Sequence, residues 1–83
     1  MNSKDNVATA LSDLSKTIVT IAIEGKEKDL EIVEPIPFGQ KFSIRKIAKG
    51  ENIVKYGEVI GEATKNIRIG ALVHTRNVRS KRA

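Results

Sequence analysis

His74 is the only histidine in the 83-residue sequence, and it lies in the run Val73-His74-Thr75-Arg76-Asn77 near the C-terminal end. An imidazole is the side chain best suited to proton transfer near neutrality. A single one cannot build a multi-histidine metal centre or a helical zinc site inside one chain. Two readings of His74 remain: an acid/base group or ligand in a site shared with another subunit, or a strand residue whose ring nitrogens bond to backbone. Lys55 and Tyr56, in the step Val54-Lys55-Tyr56-Gly57, set a cation beside a phenol. Such a step can hold a substrate carboxylate; it equally reads as an exposed lysine stem beside an aromatic at the core edge. Gly57 and Gly61 match neither the Walker nor the dinucleotide glycine spacing, so nucleotide binding is discounted.

Composition narrows the setting. With no cysteine there is neither a disulfide framework nor thiolate chemistry, which fits a reducing cytoplasm. No run of about 18 apolar residues marks a membrane span, and the N-terminal residues lack a signal-peptide core. A chain this short buries only roughly 60–65% of its unfolded surface, so a deep, self-contained active site is not expected. The net charge is +5, and Arg76, Arg79, Lys81 and Arg82 crowd the C-terminal end. A basic end of this kind either contacts phosphate or frays in solvent. One Tyr, two Phe and no reader helix offer little for nucleic-acid recognition. The sequence therefore reads as one domain over 1–78 followed by a frayed basic tail over 79–83.

The elements that must position these residues are short strands. Thr17 to Ile23 is β-branched almost throughout, and Leu30 to Ile36 alternates apolar with charged residues until Pro35 and Pro37 stop it. The stretch from Gly25 to Asp29 between them reads as a hairpin connection. Further strands are expected over Lys41 to Arg45, Asn52 to Lys55, Glu58 to Ile60 and Ile69 to His74. Val7, Leu11 and Leu14 fit a helical stripe with Asp5 or Asn6 as N-cap, although Val7 to Leu11 fits a strand as well. Three stretches resemble one another: Thr9 to Val19, Ser43 to Val54 and Glu62 to Val73. Each carries a polar residue, then Leu or Ile, then two residues, usually Gly, then an apolar run. Gly50 and Gly70 stand where the chain must turn with positive φ. The first copy lacks that glycine, so its turn must be built differently. Many short strands joined by glycine turns predict an all-β fold.

The run from Gly39 to Asn77 resembles the small N-terminal module of the altronate and galactarate dehydratase family, which includes the small subunit of sulfolactate sulfo-lyase. The matching features are Gly39-x-Lys41, Lys55-Tyr56-Gly57, Gly61 and Val73-His74-x-x-Asn77, in order. The opening Asp5 to Leu11 is similar to the start of that module. The resemblance implies a SAF-type, β-clip fold of short strands and long bent hairpins. It also implies a hydroxy-acid lyase, in which the module accompanies a much larger catalytic region that eliminates water or sulfite.

Carried across by residue, the resemblance assigns His74 a catalytic role in a shared site, and assigns Lys41, Lys55, Tyr56 and Asn77 to substrate binding. Asp5, Asn6 and Thr9 match the opening motif and either line the cleft or cap turns. The family often reads HVHxHN at its polar end, where this chain has Leu72 and Arg76. No metal is therefore expected on this chain alone, whereas a divalent ion such as iron(II) is implied for the holoenzyme. The expected partners are a large dehydratase subunit, a sugar-acid or hydroxy-acid substrate, and a second copy paired through exposed strand edges. Alone, the chain would be inactive. Two other readings compete: a free-standing module that binds an anionic hydroxy acid, and a basic nucleic-acid-binding protein.

Overall fold

The computed structural model describes residues 4–23 and 25–80, and among them there are eight strands and no helix. At the centre, β1 (Val7–Thr9), β4 (Lys41–Ser43) and β7 (Leu72–Val73) form an antiparallel sheet in the order β1-β4-β7. Successive side chains leave a strand on opposite faces, and here both faces are covered. Ala8, Phe42 and Leu72 pack on one side with Leu30, Ile32, Ile36 and Ile44, whereas Val7 and Val73 pack on the other with Ile47, Ile53, Ala63 and Ile67. A sheet of so few residues is thus the partition between two small cores. The N-terminal segment is a strand and not the helical stripe that Val7, Leu11 and Leu14 also fitted; Leu11 is 86% exposed. Among the described residues the fold is all-β, as the composition predicted.

β2 (Ile18–Ile23) and β3 (Lys26–Glu31) make a separate two-stranded hairpin. The sequence placed the second strand at Leu30 to Ile36 and treated Gly25 to Asp29 as its connection. Instead Ile23 pairs with Lys26, and the ladder runs on to Ile18 opposite Glu31. The charged run Lys26-Glu27-Lys28-Asp29 is a strand because its partner supplies the apolar half: Val19, Ile21 and Ile23 lean on the Phe42 core. Thr20 Oγ1 donates to Asp29 Oδ1 at 2.7 Å across the solvated face.

β5 (Asn52–Lys55), β6 (Glu58–Ala63) and β8 (Val78–Ser80) form the third sheet, in the order β5-β6-β8. Arg79 and Ser80, assigned by sequence to a frayed tail, therefore sit in a strand, while 81–83 lie outside the described residues. Gly61 is what admits β8. A Cβ there would come within 2.8 Å of both the Arg79 carbonyl oxygen and Val78 Cγ1, so only a bare backbone lets β8 lie this close.

The repeat has a structural basis, and it has four units rather than three. Leu14 bridges Ile36 and Ile47 bridges Ile67, each pair exchanging both backbone hydrogen bonds. Around the first bridge, Gly39 N–H donates to Ala10 O at 2.9 Å, and Phe38 N–H donates to the Asp13 carboxylate at 2.7 Å. Around the second, Gly50 N–H donates to Ala63 O at 2.8 Å, and Lys49 N–H donates to Asn66 Oδ1 at 2.8 Å. Ala10, Asp13 and Leu14 thus repeat as Ala63, Asn66 and Ile67, and Ile36, Phe38 and Gly39 repeat as Ile47, Lys49 and Gly50. The missed unit, Ile36 to Gly39, was hidden by its prolines, which read only as the end of a strand. Pro37, Ala48 and Arg68 each accept the bond that closes a turn, with φ of 82°, 91° and 83° at Gly39, Gly50 and Gly70. Positive φ at the third turn position defines a type II turn.

Two of these glycines separate conformational strain from crowding. At Gly50 a Cβ would meet open space, whereas at Gly70 it would strike the Glu31 carbonyl. Gly50→Ala should cost about 1–2 kcal/mol, from the left-handed backbone alone. Gly70→Ala should cost at least about twice that, since backbone must also move. Urea denaturation of the two variants against the parent checks the ranking, and equal losses would show that the Gly70 contact does not matter.

Candidate functional site in the cleft beside His74

The turn 74–77 carries the chain from the central sheet to β8, and His74 rides on it. Asn77 builds this turn. Its Oδ1 accepts the His74 N–H at 2.8 Å, its Nδ2 donates to Leu72 O at 2.8 Å, and its own N–H donates to His74 O at 2.9 Å. The side chain is buried, so both ends of the amide serve the backbone, and Asn77 is a brace beneath His74. The His74 ring is exposed, with Nδ1 3.2 Å from Thr75 Oγ1.

Strand pairing brings Lys41 to the same place. Lys41 lies directly opposite Val73 on β4, one residue before His74. Lys41 and His74 line one cleft of about 350 Å³, together with Gln40, Thr75, Arg79 and Ser80. Its floor is apolar, supplied by Ile53, Ile60, Val73 and Val78. That volume lies at the small end of the range for small-molecule sites, and cations around an apolar floor suit a compact organic anion.

Lys55 and Tyr56 stand elsewhere, at the tip of the β5–β6 hairpin, and are not among the residues lining this cleft. Tyr56 and Gly57 both have positive φ, 53° and 74°, as a two-residue hairpin turn requires. Tyr56 is 78% exposed, and Lys55 Nζ lies 3.9 Å from its ring centroid. The Asp5 carboxylate, itself buried, accepts the Gly57 N–H at 2.8 Å and pins this tip. Asn6 does the same for β5: its Oδ1 accepts from Val54 N–H and its Nδ2 donates to Asn52 O, both at 2.8 Å. The opening motif therefore fastens the hairpin, the turn-holding role of the two read for Asp5 and Asn6. Neither lines the His74 cleft.

The two positions where the expected histidines are absent have other partners. Leu72 packs into the Phe42 core, and Arg76 pairs with Glu34 at 2.6 Å. Glu34 also accepts the Leu72 N–H at 3.1 Å. Among the described residues no three His, Cys, Asp or Glu side chains converge, so the donor set here does not fit a self-contained divalent metal site. Sequence reasoning missed Glu34, because its contact with Arg76 spans 42 positions and no local pattern marks it.

Residues 1–81 match the family described as the altronate/galactarate dehydratase SAF domain. The chain belongs to that family. It is 36% identical over 80 residues to altronate dehydratase of Escherichia coli strain K12, a match covering 96% of this chain and 16% of that enzyme. Altronate dehydratase of Bacillus subtilis strain 168 is 31% identical over the same shares. The alpha subunit of (2R)-sulfolactate sulfo-lyase from Chromohalobacter salexigens is 42% identical over 52 residues, 63% of this chain and 55% of that subunit. This SAF domain thus spans only a small part of the altronate dehydratases it matches. Among the described residues no helix is long and apolar enough to cross a membrane.

Glu34 gives the SAF domain an acid-sensitive latch on the 74–77 turn. Burial opposes ionisation of its carboxyl, but the bonds from Arg76 and the Leu72 N–H, with the Arg76 charge, outweigh burial and hold it below its ordinary 4.5. Because the folded state favours the ionised form, the contribution is complete above that value and is lost as pH falls through the lower folded one. The pair is partly solvated, so the amount is at most about 1 kcal/mol. Glu34→Gln should flatten the decline in stability between about pH 5 and pH 3. Urea midpoints across that range test it, and an identical acid limb in parent and variant would discount the latch.

Proposed function

We propose that this chain is the small, SAF-domain subunit of a hydroxy-acid lyase that eliminates water or sulfite together with a separate large catalytic subunit. The observation that carries the reading is the family match over residues 1–81, joined to a site with one imidazole and one flanking lysine. That is enough to contribute to a reaction and too little to complete one. The alpha-subunit relative carries in its name the division into subunits. An elimination next to a carboxylate needs a base for the α-proton and help for the leaving group. In the proposed assembly any divalent ion is held chiefly by the large subunit, and the substrate is a sugar acid or related hydroxy acid.

Within that assembly His74 serves the shared site as an acid/base or substrate-facing group. Lys41 draws the substrate carboxylate to the cleft rim, and Asn77 holds His74 at its station. Lys55 and Tyr56 act at the hairpin tip, where they meet substrate carried by the large subunit. The two-residue turn sets the positive φ of Tyr56 and leaves its ring exposed beside Lys55, open to a partner. The setting is the cytoplasm, in keeping with a chain without cysteine.

Capture with a tagged chain from lysate of the source organism should recover a large dehydratase-like protein in fixed proportion. In the reconstituted complex, His74→Ala should lower kcat about 100-fold or more with assembly intact, the range for loss of an acid/base group. Undiminished turnover would reduce His74 to a structural residue. No stoichiometric partner, with hydroxy-acid binding by the chain alone, would favour a free-standing binding module.

A further inference from the structure

The resemblance assigned no part to Arg79, and the sequence placed it in a solvated tail. Two independent features seat it at the cleft instead. Gly61 lets β8 lie against β6, and Glu62, its direct partner across the ladder, contacts the guanidinium through Oε2 at 3.0 Å. The Arg79 side chain is 70% exposed, and it lines the cleft with Lys41 and His74. A guanidinium has five N–H donors in a planar fork, and the single Nη2 contact to Glu62 occupies one of them. The rest of the fork suits a second carboxylate in the two-point geometry that arginine favours and lysine cannot reproduce.

We propose that Arg79, held ready by Glu62, grips in two-point fashion the carboxylate that Lys41 draws to the rim of this cleft, and that the ligand class is a small hydroxy-carboxylate. The proposal deepens the lyase reading and rests on it for the substrate class. Charge and surface favour this ligand over a nucleic acid. Glu62 beside Arg79 moderates the local positive field, and the floor of Ile53, Ile60, Val73 and Val78 offers no aromatic platform for a base. Gln40, Thr75 and Ser80 supply neutral hydrogen-bonding groups on the same rim, which match hydroxyl-bearing carbons.

The test is a nuclear magnetic resonance titration of the full 83-residue chain with sodium altronate, with the uncharged polyol altritol as control. Altronate should shift the amides of Lys41, His74, Arg79 and Ser80, and altritol should not. Arg79→Ala should weaken binding about 10- to 100-fold, the loss expected for a charge-assisted contact. Arg79→Lys should recover part of the loss, because the charge returns without the fork. Glu62→Gln keeps an oxygen that accepts the Arg79 hydrogen bond and removes the competing charge, so it should bind at least as tightly as the parent. The spectra themselves report whether each variant is folded. Equal affinity of Arg79→Ala and parent, or no altronate shift at the cleft, would overturn the assignment. Partner capture separates this from the lyase reading: anion binding through Arg79 without a large partner sinks the subunit role alone, and capture with no Arg79 effect sinks the arginine role alone.

Discussion

Four apolar corner residues, Leu14, Ile36, Ile47 and Ile67, govern the rest of the molecule. Each faces its partner through a reciprocal pair of backbone hydrogen bonds, and Ile36 and Ile47 are fully buried. The chain has no helix among its described residues to satisfy its own backbone, so outside the turns its buried N–H and C=O groups pair with distant segments. The corner bridges do this where strands are too short to. They also set the distance between the central sheet and its neighbours, and the glycine turns after Ile36, Ile47 and Ile67 feed the strands that follow. Asp13 and Asn66 complete the arrangement, each accepting a turn N–H that no strand reaches.

The cleft follows from that frame. β7 ends in the central sheet and β8 begins in the β5–β6 sheet, so the four residues between them must cross the seam. A crossing of this kind has few backbone partners, and Asn77 supplies them from its side chain. Arg76 and Glu34 tie the outer side of the same turn to the segment after β3. His74 is left exposed on a turn braced by Asn77, and Lys41 and Arg79, from strands of two different sheets, line the same cleft. Polar groups converge where the two sheets meet, over an apolar floor whose Ile53, Val73 and Val78 also pack with Ile47 and Ile67.

Membership of the SAF domain family sets this chain beside proteins much longer than itself. The matched region is 16% of the Escherichia coli altronate dehydratase and 55% of the sulfo-lyase alpha subunit. At the two positions where the resemblance leads one to expect histidine, Leu72 packs into the core and Arg76 forms an ion pair. At this end of the molecule stand the Asn77 brace, one exposed imidazole and cations on the rim of a cleft.

Local chemistry in the sequence determined much of this. The β-branched run from Thr17 to Ile23 and the short run from Asn52 to Lys55 placed their strands, glycines needing positive φ marked two of the turns, and the order of motifs pointed to the family. Tertiary structure decided the rest, for a common physical reason: the deciding contacts join residues far apart in the chain. Lys26 to Asp29 became a strand because β2 presented its partner edge and a core to lean on. Asp5 became a fastener because Gly57 N–H lay within reach across 52 positions. Asn77 looked like a binding residue until its amide was found spent on backbone. Arg79 looked like frayed tail until a glycine on another strand gave β8 room to pair, and only that pairing carried its charge to the cleft.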